Sequence, residues 1–316
     1  MKWQKHIPNM KGTEMKRTAF AFAAFVLTAA WCGAASAADG DTNTFDKFIK
    51  PMTNPVYFDD ARNQTYIHVY HAIQSLPDKI NTRIGKVPLD GSLSLTAVRI
   101  NYAFNERFSI VAAKDGYIDF DPDHTLKHEH GWADIAGGAK YAFIYDEKND
   151  FILSGKLLFE MSQGSSEVYQ GNGHGNLAPS LTFLKGWDKF QFMGMAGGVI
   201  PFQNSQESTM MFDSWHVSYN IMDRVFPLIE LNHFWIVRQA DSKDLVASVA
   251  KFEGGDVINM GSQHGMDHRH LVSAAAGARF RVIKNIDMGI AYEFPLTEQR
   301  NGLMDNRWNF DIIYHF

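Results

Sequence analysis

Two groups of histidines carry the most direct coordination chemistry in this chain. His124, His128 and His130 fall within Asp123-His124-Thr125-Leu126-Lys127-His128-Glu129-His130, and His264, His268 and His270 lie beside Asp267. Both groups have the spacing His-x3-His-x-His. Imidazoles with a neighbouring carboxylate suit zinc, copper or nickel, and two such groups meeting at one place would make a site. The plainer reading is of polar surface loops that hold no ion. A second constellation is nucleophilic. His216 and Ser218 share one face of a predicted strand, and Glu230 falls opposite His216 across a turn near Asp223. Serine, histidine and carboxylate within reach of one another form a hydrolase arrangement; the plainer reading is an inward polar ladder. The third set is larger. Arg99, Asp134, Lys140, Lys156, Glu160, Glu230, Arg279, Arg281, Glu293 and Asp311 stand singly within alternating apolar stretches. Acids and bases facing one another across a confined space set selectivity by size and field, or they merely pair and brace the wall. Gly171-Asn172-Gly173-His174-Gly175 is a poor phosphate cradle, because it opens no helix and lacks a following Lys-Ser/Thr. It reads as a flexible loop.

These residues need a scaffold, and the end of the chain supplies its pattern. From Arg307 to Phe316 an apolar face (Trp308, Phe310, Ile312, Tyr314, Phe316) opposes a polar one (Asn309, Asp311, His315), with Ile313 as the exception. A period of two with one greasy face marks a half-buried strand. Finishing on an aromatic of that face resembles the last strand of outer-membrane β-barrels, which the assembly machinery reads. Comparable strands recur in pairs: 92–104 with 107–118, 132–145 with 151–162, 176–184 with 189–200, 211–221 with 225–238, and 268–283 with 286–294. Turns of two to five residues join each pair, as in hairpins. Longer polar segments separate the pairs, at 74–91, 119–131, 163–175, 201–210, 239–267 and 295–306. With strands at 65–73 and 307–316 the count is about twelve, an even number as single-chain bacterial barrels have.

The expectation is therefore an all-β fold, a transmembrane antiparallel β-barrel over residues 65–316 with short periplasmic turns and long extracellular loops. Ile135, Ala139, Tyr141, Phe143 and Tyr145 should face lipid, as should Ile286, Met288, Ile290, Tyr292 and Phe294. Aromatics beside the short turns (Tyr102, Phe104, Phe108, Tyr145, Phe151, Trp187, Phe190, Tyr219, Phe226) would form an interfacial girdle. A charge facing lipid at mid-depth costs about 2–4 kcal/mol, so the charged set must face a lumen. Twelve strands fall between barrels filled by their own side chains and broad porins, which predicts a narrow passage.

The N-terminus indicates export. Met15-Lys16-Arg17 is a positive start, Ala19 to Trp31 is almost wholly apolar, and Ala35-Ser36-Ala37 is a small-x-small cleavage pattern. Residues 1–37 thus read as a signal peptide cut after Ala37, with initiation at Met1 or Met15. Cys32 is preceded by Trp31, where a lipoprotein signal wants a small residue. Residues 38–64 read as a periplasmic lead-in or small plug. Beyond residue 37 the chain keeps 25 Lys/Arg against 34 Asp/Glu, a net charge of −9, and no cysteine. That charge argues against nucleic acid, and the lack of cysteine leaves burial and sheet pairing to hold the fold. No run reaches 18 apolar residues, so no transmembrane helix is expected.

Two motifs carry a family likeness: Asp115-Gly116-Tyr117-Ile118-Asp119, and Gly131-Trp132-Ala133-Asp134-Ile135-Ala136-Gly137-Gly138-Ala139-Lys140-Tyr141. With them, most of residues 55–316 is similar to the outer-membrane proteins grouped under the MetA pathway of phenol degradation. The resemblance implies a barrel that passes aromatic or other small hydrophobic compounds and assigns no binding residue. Physically the second motif reads as small residues that let the wall bend, with an inward Asp134/Lys140 pair. For the hydrolase alternative, His216-x-Ser218 with Glu230 resembles the lipid A deacylase barrels, but Tyr219 replaces the Asn that follows the serine there. The strand number also exceeds theirs, and motifs of the outer-membrane phospholipase are absent. The leading expectation is a channel without cofactor whose partners are outer-membrane lipids, the barrel-assembly machinery and a small solute. The alternatives are a lipid hydrolase using Ser218, His216 and Glu230, and a surface-binding structural barrel.

Overall fold

Alternation along the sequence becomes a wall with two faces. The computed structural model describes residues 44–316. In chain order its strands are β1 (Tyr66–Ser75), β2 (Lys79–Thr82), β3 (Gly85–Pro88), β4 (Ser92–Asn105), β5 (Phe108–Lys114), β6 (Tyr117–Asp121), β7 (Glu129–Trp132) and β8 (Ile135–Asp146). There follow β9 (Phe151–Met161), β10 (Asn176–Trp187), β11 (Phe190–Pro201), β12 (Thr209–Tyr219), β13 (Val225–Arg238), β14 (His270–Ile283), β15 (Ile286–Pro295) and β16 (Asn306–His315). β2 and β3 form a separate hairpin in an extracellular loop, where the sequence suggested only a polar segment. The other fourteen segments make one antiparallel sheet. β5 and β6 are two pieces of one stave, and β7 and β8 are two pieces of the next, so the staves number twelve. β16 pairs with β1 from Tyr66↔His315 to Ser75↔Asn306, and β1 pairs in turn with β4. The sheet closes on itself, which leaves no open edge in the bilayer. The expected transmembrane barrel is what the chain builds; residues 1–43, including the expected signal peptide, lie outside the described residues.

The two quoted motifs mark the two interrupted staves. At the first break the Asp115 carboxylate accepts from the Val98 amide at 3.0 Å, replacing a ladder bond. A side chain on Gly116 would begin 2.9 Å from both Leu95 Cδ1 and the Thr96 carbonyl oxygen. The second break falls at Ala133-Asp134, directly alongside, and the Ala133 amide donates to the Gly116 carbonyl at 2.8 Å. The strands reach farther outward than the sequence suggested, leaving 122–128 as the connecting loop and placing His130 on β7.

Outward residues such as Leu157, Leu181 and Ile229 are half or more exposed, and a continuous patch of this kind is a liability in water but the lipid face of a barrel. Two girdle assignments are corrected. A bulge between Ala142 and Ile144 leaves Phe143 unpaired, so Phe143 and Ile144 both face out while Tyr145 swings inward against Phe45, ring centroids 5.1 Å apart. One extra residue exchanges the faces of all that follow. Phe226 has the parity of the inward Glu230 and is buried with Ile49 and Met52.

Inside the wall runs the N-terminal segment 44–64, described below. Above it the long loops fold over the mouth. Leu76, Leu89, Val168, Phe252, Val257, Ile258, Met260 and Leu303, from four loops, form a core with Leu93, Ile118 and Phe120 of the wall.

Candidate functional site

The lumen is where the charged residues meet, and what they meet is chiefly the chain's own segment 44–64. Segment 44–64 opens with a 3-10 turn, Thr44–Lys47, and is tied into a compact unit by Arg62. That guanidinium donates to the carbonyls of Phe45 (2.8 Å) and Phe48 (2.9 Å) and, through Nε, to Asp60 (2.8 Å). Pro51 and Pro55 keep the stretch between from forming helix or ladder. Its backbone carbonyls and amides therefore need partners from the wall, and the inward side chains supply them.

Glu230 accepts from the amides of Met52 (2.9 Å) and Thr53 (2.7 Å), from the Thr53 hydroxyl (2.5 Å) and from His216 Nδ1 (2.6 Å). Arg99 donates to the carbonyls of Pro55, Val56 and Phe58. Lys140 donates to the carbonyls of Asp60 (2.9 Å) and Arg62 (2.7 Å), and Lys156 to that of Tyr57 (3.0 Å). Arg279 reaches the Pro51 carbonyl at 3.3 Å, and Arg281 reaches that of Asp46 at 2.6 Å. The single carboxylate of Asp59 sits among Lys156 (3.4 Å), Arg99 (3.5 Å) and Lys140 (3.6 Å). Two inward glycines complete the seat. A Cβ on Gly186 would lie 2.0 Å from Phe48, and one on Gly289 would lie 2.5 Å from the Met52 sulfur.

The remaining expected lumen residues brace the wall or the loops. Asp311 holds Arg279 by two bonds (2.7 and 3.0 Å) and His68 by one (2.8 Å). Glu293 accepts from Arg307 (2.9 Å) and Ser273 (2.6 Å). Glu160 pairs with Lys114 at 2.7 Å. Asp134 accepts from the amides of Gly164 (2.8 Å) and Gly171 (2.9 Å), tying an extracellular loop to the break in its stave. The expected Asp134/Lys140 pair does not form, because the break turns Asp134 toward the loops while Lys140 reaches down to the segment. Gly171–Gly175 turns sharply, with positive φ at Gly171, Gly173 and Gly175.

Lys114, Arg307, Asp256 and Glu207 were not singled out from the sequence. Arg307 shares the parity of Asp311 and was accessible by the same alternation. Lys114 follows a bulge between Ala112 and Lys114, and Asp256 and Glu207 lie in loops that carry no periodic signal. Glu207 is buried in the lid, and burial together with the Glu160 charge pushes its carboxyl up to about 8, against the pull of Lys114. The cavities among these groups are small, about 10 Å³ beside Tyr57, Lys114, Glu160 and Glu207 and about 20 Å³ beside Pro55, Leu95 and Ala113. The wall over β9–β13 also presents an apolar inner face (Leu184, Met193, Met195, Met210, Phe212, Ile236) that alternation alone did not distinguish from core.

The nucleophilic constellation is not assembled as a triad. His216 engages Glu230, but the Ser218 hydroxyl donates to Gln191 Oε1 at 3.2 Å, and Glu230 is occupied by the N-terminal segment. The histidine groups also stay apart. His264 meets Arg83, and His270 meets His233 on β13. His128 and His130 instead converge with Asp119.

No protein-family model matches the sequence, and no curated protein matches it. Among solved structures the chain is similar to an outer membrane channel from Pseudomonas putida F1, at 14% identity and a TM-score of 0.58, covering 80% of this chain and 96% of that one. It is also similar to the NanC porin, at 10% identity and a TM-score of 0.50, covering 79% of this chain and all of that one. At these identities the likeness establishes the fold alone, the closed antiparallel β-barrel that those outer-membrane proteins share.

Proposed function

We propose that the chain is an outer-membrane channel for small solutes whose lumen is closed at rest by residues 44–64 and opened by their displacement. One observation carries the reading: the inward charges of the wall spend their hydrogen bonds on that segment's backbone rather than only on one another. Charges that only braced a wall would need no partner but one another. Polar anchors on a separate segment make a closure that can be released, because water can replace each bond as it breaks. The apolar strip over β9–β13 favours hydrophobic or aromatic solutes, in keeping with the likeness to the phenol-pathway barrels, and the ring of Arg99, Lys140 and Lys156 gives the passage a positive collar once Asp59 leaves. Outer-membrane placement, with the loops facing the medium, follows from the same reading.

Planar-bilayer conductance and liposome swelling test it. The reading expects brief, rare openings in wild type and frequent ones when an anchor is removed. If neither wild type nor anchor variants conduct or pass any solute, the channel reading fails.

A further inference from the structure

The hairpin of β6 and β7 brings together a set of ligands that the channel does not use. Tyr117, Asp119 and Asp121 occupy the less buried face of β6. His130 lies directly opposite Asp119, and Trp132 opposite Tyr117. His128, two residues before His130, falls on the same outward side beside Asp119 and Asp121. One ligand atom from each of Asp119, His128 and His130 lies within 4.8 Å of the others. Ligands on one zinc-sized ion, at about 2.0–2.2 Å each, stand roughly 3.4 Å apart in a tetrahedron. Exposed side chains cover that difference by small χ adjustments.

The arrangement already has the polarity of a metal centre. His128 Nε2 is 2.7 Å from Asp119 Oδ1, and its other nitrogen, Nδ1, is 3.5 Å from Asp121 Oδ1. A carboxylate behind a ligating imidazole fixes its tautomer and turns the second nitrogen toward the ion. Here Asp121 stands behind His128, while Asp119 and His130 close the front. We propose that Asp119, His128 and His130 bind one divalent transition-metal ion of the zinc, copper or nickel class, with Asp121 positioning His128 and water completing the shell. Two imidazoles select against calcium and magnesium, which want oxygen alone. The site faces outward at the extracellular rim, so the ion needs no passage through the lumen, and the inference is independent of the channel reading. His124, the third histidine of the motif, is not among the converging ligands.

The test is titration of the purified, untagged barrel in detergent with ZnCl₂ by calorimetry, and with CuCl₂ by electron paramagnetic resonance. One ion per chain is expected, with copper hyperfine structure from two nitrogens and no competition from excess calcium. His128→Ala and His130→Ala should each abolish the site. Asp121→Asn should weaken it about 10- to 100-fold, and His268→Ala should leave it intact. Heat-modified gel mobility confirms that each variant is folded. Absence of stoichiometric binding of zinc, copper and nickel, or binding unchanged in the His128→Ala/His130→Ala double variant, overturns the proposal.

Discussion

Glu230→Ala is the sharpest test of the closed lumen. The carboxylate of Glu230 receives three hydrogen bonds from the N-terminal segment, two from the backbone amides of Met52 and Thr53 and one from the Thr53 hydroxyl. A hydrogen bond to a charged group contributes about 1.5–3 kcal/mol. The full loss is not expected, because the vacated space admits water that bonds to the amides in turn. A net weakening of about 2–4 kcal/mol is reasonable on that scale. At about 1.4 kcal/mol per factor of ten, the released state should gain roughly 30- to 700-fold in population. Arg99, Lys140 and Arg279 keep their bonds to the segment, so the closed state stays the resting one and the barrel stays folded. Single-channel recording should show open probability rising by that factor with unit conductance unchanged, and Glu230→Gln, with one acceptor left, should fall between. An open probability equal to wild type in a variant of normal heat-modified mobility would refute the closure.

Other perturbations probe the same frame. Gly186→Leu places atoms where the Phe48 ring sits, the first of them 2.0 Å away, and should raise conductance without touching any charge. Arg279→Ala leaves Asp311 buried with only His68; breaking a buried pair costs about 3–5 kcal/mol, and a lowered unfolding temperature in detergent checks it. Glu207 predicts a pH effect on the lid. Its carboxyl, raised from 4.5 to about 8, keeps its proton in the fold after the unfolded chain has lost it, so its stabilisation is full below about pH 4.5 and is lost as pH rises toward 8. Protection factors in loops 202–208 and 251–262, with the intrinsic pH dependence of amide exchange divided out, should fall over that window, and Glu207→Gln should flatten the fall.

Much of this architecture was legible because a barrel wall repeats its rule every second residue. The five short-turn hairpins and the even stave number follow from turn spacing, and the inward position of the charged candidates within strands follows from parity; Asp134, at the break in its stave, turns to the loops instead. Parity fails where a residue is inserted. Tyr145 lies beyond the bulge at Phe143 and so turns inward, an event no count of alternation announces. Partners were harder to read than positions. Nothing in the sequence spacing joins Glu230 to Met52 or Asp134 to Gly171, because these contacts close across the lumen or through loops. The histidine motif drew attention to 124–130, but Asp119 joins His128 and His130 only through strand register, which places it opposite His130.

The inner segment also acts as a set of spokes. Residues 44–64 bond to β1, β4, β5, β8, β9, β11, β12, β13 and β14, nine of the twelve staves, and they continue directly into β1, one side of the closing seam. Staves that share no ladder are thus tied to one another through a single stretch of backbone. Displacing that stretch would release these ties together while the ladders of the wall stay closed.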